Sequence, residues 1–445
     1  MNAIDVFQEW LNDYLNFERN PKKDIFWLDT IDYLCKRFDN PQDFAPCVHV
    51  AGSKGKGSVS KMISCILEEA GYNVGLYSSP HIIDFRERIC TPSGFFDESI
   101  YEEAIKEMVP NIDSIIDLPG DRPITWFELV TLYAFLCFRK AKVDWSVYEV
   151  GLGGRLDTTN VLRPKICCIT PIELEHTEFL GDTLEKIAAE KAGIIKNCTP
   201  VVISQQLKES VKIVFREKAI TRHAPYYFVD EIIKNASYSF NDQSKKMKIH
   251  LESDIFNRPI ETEMKLLGKM QAQNAAQAAI TVRKILPNLS EEIIEKGLAK
   301  ASLPGRFEII ENVPGYEGIN HLILDGAHTV NSIKLTVDTL NKLYPYKPVD
   351  LLFACAADKD IKDIAMVLKN NFEYIYVTKP GDKKQSDINS EIEAFKNADV
   401  SFTANPDYKL MIKTALEETA KKGHILLVTG SFYLLAEVKA YLMSL

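Results

Sequence analysis

Long apolar runs are missing from this 445-residue chain. Its most hydrophobic stretch, VTLYAFLCF at 130–138, is well short of the roughly 20 residues a bilayer-spanning helix needs. The opening segment MNAIDVFQEWLNDYL is acidic and amphipathic. It lacks the basic start and apolar core of a secretory leader. Positive charge is also in deficit: 53 Lys and Arg stand against 62 Asp and Glu, a formal net charge of -9. That balance argues against nonspecific binding to nucleic acid or to an anionic membrane, while leaving room for a local basic pocket. None of the nine cysteines forms a pair with zinc-ligand spacing, and their number is odd. Unpaired, buried thiols in a reducing cytoplasm are the expectation. Internal repeats and low-complexity tracts are absent, which sets aside solenoid and fibrous architectures.

The composition that remains, 46% hydrophobic and 26% charged, is that of a globular protein. A chain of this length exceeds one ordinary core, so two domains are expected. Val48–Ala51 reads as a buried strand, and Ser58–Ala70 places Val59, Met62, Ile63, Ile66 and Leu67 at helical spacing. Gly71 closes that helix, and Val74–Tyr77 is the next strand. Trp126–Arg139 and Leu184–Ile194 read as helices, and Trp145–Val150 and Ile166–Thr170 as strands buried on both faces. The alternation predicts a doubly wound, mostly parallel α/β sheet covered on both sides. Polar alternation over 225–265 predicts antiparallel strands at the edge of this domain. Leu303-Pro304-Gly305 interrupts the pattern, dividing the chain at 1–302 and 303–445, and a second alternation follows. There, 321–324, 350–354, 373–377 and 424–428 read as strands, with helices over 331–344, 361–370 and 431–443.

Five stretches could carry chemistry. VAGSKGKGS (50–58) stands between a strand and a helix, where backbone N–H groups and the helix dipole favour phosphate. Lys54 or Lys56 would add a mobile cation and Ser58 a hydroxyl able to ligate Mg²⁺. The alternative is a tight glycine turn with solvated lysines. YEVGLGGRLDTTN (148–160) ends a strand in Glu149, then exposes Arg155 and Asp157. Glu149 either holds a metal across from the loop or caps a turn, with Arg155 and Asp157 a local ion pair. TPIELEHTEFLG (170–181) sets His176 among Glu173, Glu175 and Glu178, as a ligand or as a structural histidine. AAEKAGIIK (188–196) carries Lys191 on an apolar helix face, either snorkelling to the surface or with a perturbed pKa near a metal. LILDGAHTVNS (322–332) ends a strand of the second domain in Asp325, with His328 three residues on.

Taken in order, VAGSKGKGS, YSSPH, TWFE, EVGLGGRLDTTN, EHTEFLG, EKAGIIK, LPGRFE and DGAH resemble folylpolyglutamate synthase and dihydrofolate synthase, of the Mur ligase superfamily. The resemblance runs from about Val48 to the C-terminus. It implies a P-loop NTPase-like first domain and a smaller Rossmann-like second one. It also implies a monomeric cytoplasmic ligase that joins L-glutamate to a folate or to dihydropteroate, using ATP and two Mg²⁺ ions through an acyl phosphate.

The resemblance also implies residue roles. Ser53, Lys54, Gly55, Lys56, Gly57 and Ser58 would wrap the ATP phosphates, with Asn274 on the adenine side and Arg306 and Asp325 completing the nucleotide site. Ser58, Ser79, Glu149 and His176 would line the metal sites. Lys191 matches a lysine the family carries as a carbamate, and His328 lies beside the nucleotide. Thr125, Trp126, Phe127 and Glu128, with Leu156, Asp157 and Thr158, match the pterin pocket. Three departures stand out. Lys54 replaces an asparagine and adds a cation; Glu175 replaces an aspartate and lengthens the arm; Thr329-Val330 replaces Asn-Pro and loses an amide. The competing readings are a Mur-type ligase for another carboxylate, against which TWFE and LDTTN weigh, and a P-loop ATP-binding module without ligase activity.

Overall fold

The computed structural model describes residues 3–16, 27–241, 243–382 and 385–445. Its first sheet contains β1 (Cys47–Ala51), β2 (Val74–Tyr77), β3 (Ile89–Cys90), β4 (Trp145–Glu149), β5 (Ile166–Ile169), β6 (Val201–Ile203) and β7 (Tyr226–Phe228). They lie in the order β3-β2-β4-β1-β5-β6-β7. Every pairing is parallel except β2 with β3. The central β1 is buried at all five positions, as a strand covered on both faces must be. Because β4 and β5 flank β1, the loops after these three strands open at one edge, where ligands of open α/β sheets gather.

The helix Lys56–Glu69 starts two residues before the position read from periodicity, because Gly55 at φ +89° supplies its N-cap. The helix expected over 184–194 ends at Lys191 and continues as a single 3₁₀ turn, Ala192–Ile194. The segment over 225–265 behaves differently from the expectation. Tyr226–Phe228 joins the main sheet as a parallel strand. The rest forms a separate antiparallel sheet of β8 (Asn235–Asn241), β9 (Lys246–Glu252) and β10 (Ile260–Met264). Its alternation is real, but the buried set Met247, Ile249, Leu251, Ile260 and Met264 joins the core beside the helices Lys269–Ile285 and Glu291–Lys300, where Thr262 Oγ1 donates to the Glu295 carbonyl at 3.1 Å.

The second large sheet contains β11 (Glu308–Ile310), β12 (Leu322–Leu324), β13 (Val349–Phe353), β14 (Tyr374–Val377), β15 (Phe402–Ala404) and β16 (Ile425–Thr429). Its order is β11-β12-β16-β13-β14-β15, with β11 the antiparallel member. One apolar cluster runs from Val48 and Ile63 through Met247 and Ala275 to Ile323 and Val337. The small antiparallel sheet is the bridge, since Lys342 Nζ donates to Tyr238 Oη at 3.2 Å.

Candidate active site

The glycine loop follows β1 and is shaped by its neighbours. Ser53 and Lys54 donate their backbone N–H groups to the carbonyl of Pro171, at 3.0 and 3.3 Å. That leaves the first turn of Lys56–Glu69, whose N–H groups have no partner within the helix, as the anion-facing surface. A Cβ on Gly55 would lie 2.7 Å from Asn274 Oδ1. Asn274 is therefore pressed against the loop. It is 1% exposed, its Nδ2 donates to Gln271 at 3.0 Å, and its Oδ1 is buried without a partner.

Glu149 ends β4 and is 5% exposed. It stands beside the loop, 3.3 Å from where a Cβ on Gly57 would be, and accepts a long 3.4 Å bond from the Ser79 N–H. Burial pushes its pKa up, against the pull of Lys56 and Arg306. Ser58 lies one residue further along the helix and is also buried. Glu149 thus lies against both the Ser79 backbone and the first turn of the helix that carries Ser58. Lys191, at the end of the helix Leu184–Lys191, is 1% exposed and pairs with Glu175 at 2.8 Å. Burial, followed by the charge of Lys56, brings its pKa down to about 8. Close backbone approach explains the glycines before it. A Cβ on Gly154 would come within 3.0 Å of Lys191 Cα. His176 adopts φ +46° next to Glu175 and is exposed. Lys56 donates to the Gly52 carbonyl at 3.1 Å and contributes to the electrostatics of Glu149, Glu175, His176 and Lys191 alike.

Oxygen donors with one imidazole fit a hard divalent cation. Among the described residues no group of three or more His, Cys, Asp and Glu side chains could hold a metal. The set expected from the resemblance is not of that kind, because two of its four members are serines. Lys191 does not snorkel; its amine is turned inward onto a carboxylate, in the neighbourhood where a negative adduct would suit a metal.

From the second sheet, Asp325 follows β12. Its carboxylate accepts from Phe307 N at 2.8 Å, Ala327 N at 3.1 Å and Thr336 Oγ1 at 2.8 Å. His328 Nδ1 lies 2.8 Å from the Gly326 carbonyl, which can only accept, so Nδ1 carries the proton and Nε2 the lone pair. Burial, then Lys54, lowers the His328 pKa to about 4. Arg306 lies over the Phe432 ring, 4.7 Å from its centroid.

The pterin-side residues are arranged otherwise. Thr125 caps the helix Trp126–Lys140 in a capping box with Glu128, whose carboxylate accepts from Thr125 N and Oγ1, both at 2.8 Å. Trp126 is buried under Arg88, and Phe127 fills the space a Cβ on Gly151 would need, at 2.4 Å. Asp157, expected to be exposed, is buried and accepts from Leu152 N at 2.9 Å and Thr159 N at 3.0 Å. Thr158 meets Thr131 at 2.7 Å, and Leu156 is half-buried. Arg155 pairs with Glu190 at 3.0 Å, not with Asp157. Sequence reasoning missed Asn331 and the wider part played by Glu173. Asn331 Nδ2 donates to Glu173 Oε1 at 2.9 Å across the two domains. The only available signal was an amide directly after the GAHTV turn.

The Mur ligase middle domain matches residues 50–282, and the Mur ligase glutamate ligase domain matches residues 305–432. Dihydrofolate synthase/folylpolyglutamate synthase of Haemophilus influenzae is 30% identical over 98% of this chain and 98% of its own. The solved structure of folylpolyglutamate synthase from Thermotoga maritima shares 30% identity at a TM-score of 0.82, covering 99% of this chain and 96% of that one. The Escherichia coli FolC structure in complex with DHPP and ADP matches at 26% identity and a TM-score of 0.81, covering 98% of this chain and 97% of that one. Joined to a glycine loop and Glu149 at neighbouring strand ends and to a lysine buried at a helix end, these likenesses settle the family: the chain belongs to the folylpolyglutamate synthase/dihydrofolate synthase family of Mur ligases, ATP-dependent enzymes that form amide bonds to glutamate.

Proposed function

We propose that this chain joins L-glutamate to a folate, to dihydropteroate or to both, through an acyl phosphate, releasing ADP and phosphate. The observation that carries the reading is the meeting of the glycine loop, Glu149 and the Lys191–Glu175 pair at the ends of neighbouring strands, with Arg306, Asp325 and His328 supplied by the second sheet. The proposed division, 1–302 and 303–445, gives the first part ATP and the pterin, and the second part glutamate.

In this reading Ser53 to Ser58 cradle the phosphates, and Asn274 and Asp325 fix the nucleoside end. Lys56 and Arg306 offset charge on the transferring phosphoryl group. Ser58, Ser79, Glu149 and His176 are the residues that would hold Mg²⁺, two ions in all. When bound, the metal would neutralise phosphate charge and orient the transfer. Lys191 is read as a carbamate, in which its neutral amine adds CO₂ and loses a proton. A pKa lowered to about 8 makes that neutral amine accessible near pH 7. His328, neutral with its lone pair on Nε2, suits accepting a hydrogen bond from the incoming amine rather than storing a proton. Thr125 to Glu128 and Leu156 to Thr158 form the wall against the pterin, held stiff by their own hydrogen bonds.

The enzyme is read as a cytoplasmic monomer. Among the described residues eight cysteines are buried, Cys198 is exposed and all nine are free, and no helix is long and apolar enough to cross a membrane. Purified protein should release ADP only when glutamate and either dihydropteroate or tetrahydrofolate are both present. A paired assay with the two acceptors separates the activities. Turnover independent of either substrate would refute the reading.

A further inference from the structure

Glu173 joins the nucleotide loop to the second domain. Ser53 Oγ donates to the backbone carbonyl of Glu173 at 3.1 Å, and the side chain of the same Glu173 accepts from Asn331 Nδ2 at 2.9 Å. Asn331 is the second residue of the helix Val330–Leu343. The start of that helix is itself held. Ser332 Oγ accepts from His328 N at 3.1 Å and Thr329 N at 2.9 Å, while Thr329 caps the helix. His328 and Asn331 therefore belong to one stiff turn, and whatever holds Asn331 also sets where His328 stands.

Lys54 lies beside Ser53. Among the described residues its amine has no hydrogen-bond or ion-pair partner, while Glu175 and Glu173 are the carboxylates whose field favours its charge. Two of the three departures from the family pattern, Lys54 and Thr329-Val330, thus flank the same contact. The amide missing at position 329 has a counterpart two residues on, and it reaches across the domains.

We propose that Glu173 is a positioning residue: through Asn331 it docks the His328 turn over the nucleotide loop. The proposal rests on the ligase reading above. It assigns Glu173 no contact with the reacting atoms. Its effect comes through the fraction of molecules in which the second domain is correctly seated.

The test combines kinetics with a structural readout. Asn331→Ala and Glu173→Ala should each raise KM for glutamate about three- to tenfold with kcat changed less than about twofold, the scale of one partly exposed charged hydrogen bond. The double variant should be no worse than either single one, as expected for two partners in one contact. Glu173→Gln keeps the acceptor and should restore most of the lost affinity. Asn331→Asp sets two carboxylates face to face, so it should be worse than Asn331→Ala and be relieved by Glu173→Gln. Multiplicative single effects, or an Asn331→Asp variant indistinguishable from Asn331→Ala, would overturn the proposal. Amide exchange over 171–175 and 328–333 in protein bound to a non-hydrolysable ATP analogue provides a readout independent of turnover. Faster exchange at both segments in Asn331→Ala is expected, and unchanged exchange counts against the link. Wild-type protein without ligase turnover would refute the function while leaving this second measurement decisive for the link.

Discussion

Two acidic residues end corresponding strands of the two sheets, and their surroundings differ. Asp325, after β12, accepts three hydrogen bonds from its own domain, all between 2.8 and 3.1 Å. Glu149, at the end of β4, is more deeply buried than the half-buried Asp325, yet accepts one long 3.4 Å bond among the described residues. A buried carboxylate with unused acceptor capacity is costly unless something else supplies the missing interactions. Asp325 is therefore held rigid by its own domain, with little acceptor capacity left for the nucleoside role proposed for it. Glu149 keeps the acceptor capacity that the metal role proposed for it requires. The same contrast separates the self-satisfied Thr125–Glu128 box from Asn274, whose buried Oδ1 lacks a partner.

The largest effects should fall on the unsatisfied side, as lost activity with the fold retained. Lys191→Ala should lower kcat by about 100-fold or more, the scale of removing one preorganised charged group. Calorimetric affinity for an ATP analogue should stay within severalfold. Gly55→Ala should sharpen the picture further. Its φ of +89° and the 2.7 Å approach of Asn274 leave no place for a Cβ. Nucleotide affinity should drop at least about tenfold, an energy of about 1.4 kcal/mol, and the strained backbone should also lower the melting temperature.

Glu391 is the exception within the second sheet. It is 1% exposed, its Oε2 has no partner among the described residues, and its Oε1 receives long contacts from Cys355 N at 3.4 Å and Cys355 Sγ at 3.8 Å. Burial raises its pKa from 4.5 to about 8. The folded state thus holds this proton more tightly than the unfolded chain does. Its contribution to stability is complete below about pH 4.5 and is lost as the pH rises toward 8. Urea unfolding of wild type should weaken across that window by an amount on the order of a few kcal/mol, and Glu391→Gln should flatten the difference. An equal slope in both proteins would break the assignment.

The smallest effects belong to the satisfied side and should appear in stability before activity. Thr125→Ala removes the helix cap and should cost about 1 kcal/mol by chemical denaturation. A catalytic loss without that cost would mean the box is open to substrate after all. Thr336→Ala, removing one of three bonds to Asp325, should also cost about 1 kcal/mol.

Much of the α/β alternation was legible because buried parallel strands leave continuous apolar runs. The run read as a strand over 74–77 is the strand found, and most others fall within a residue or two at each end. Boundaries failed where a backbone conformation, not a side-chain period, decided them. Gly55 started a helix early, and the turn after Lys191 ended one. The 225–265 segment was read as edge strands because alternation reports that one face is buried, not what buries it. Its neighbours are the helices Lys269–Ile285 and Glu291–Lys300.

Local sequence determined the loops, the glycines and the nature of the groups at each strand end, since these follow from chain geometry and residue chemistry over a few positions. Only the tertiary structure decided which of those groups satisfy one another. Arg155 found Glu190 and not Asp157; Lys191 found Glu175; Asn331 found Glu173 158 residues away. Each of these choices depends on strand order and domain seating, and the strength of a buried polar contact depends on distances that no spacing along the chain encodes.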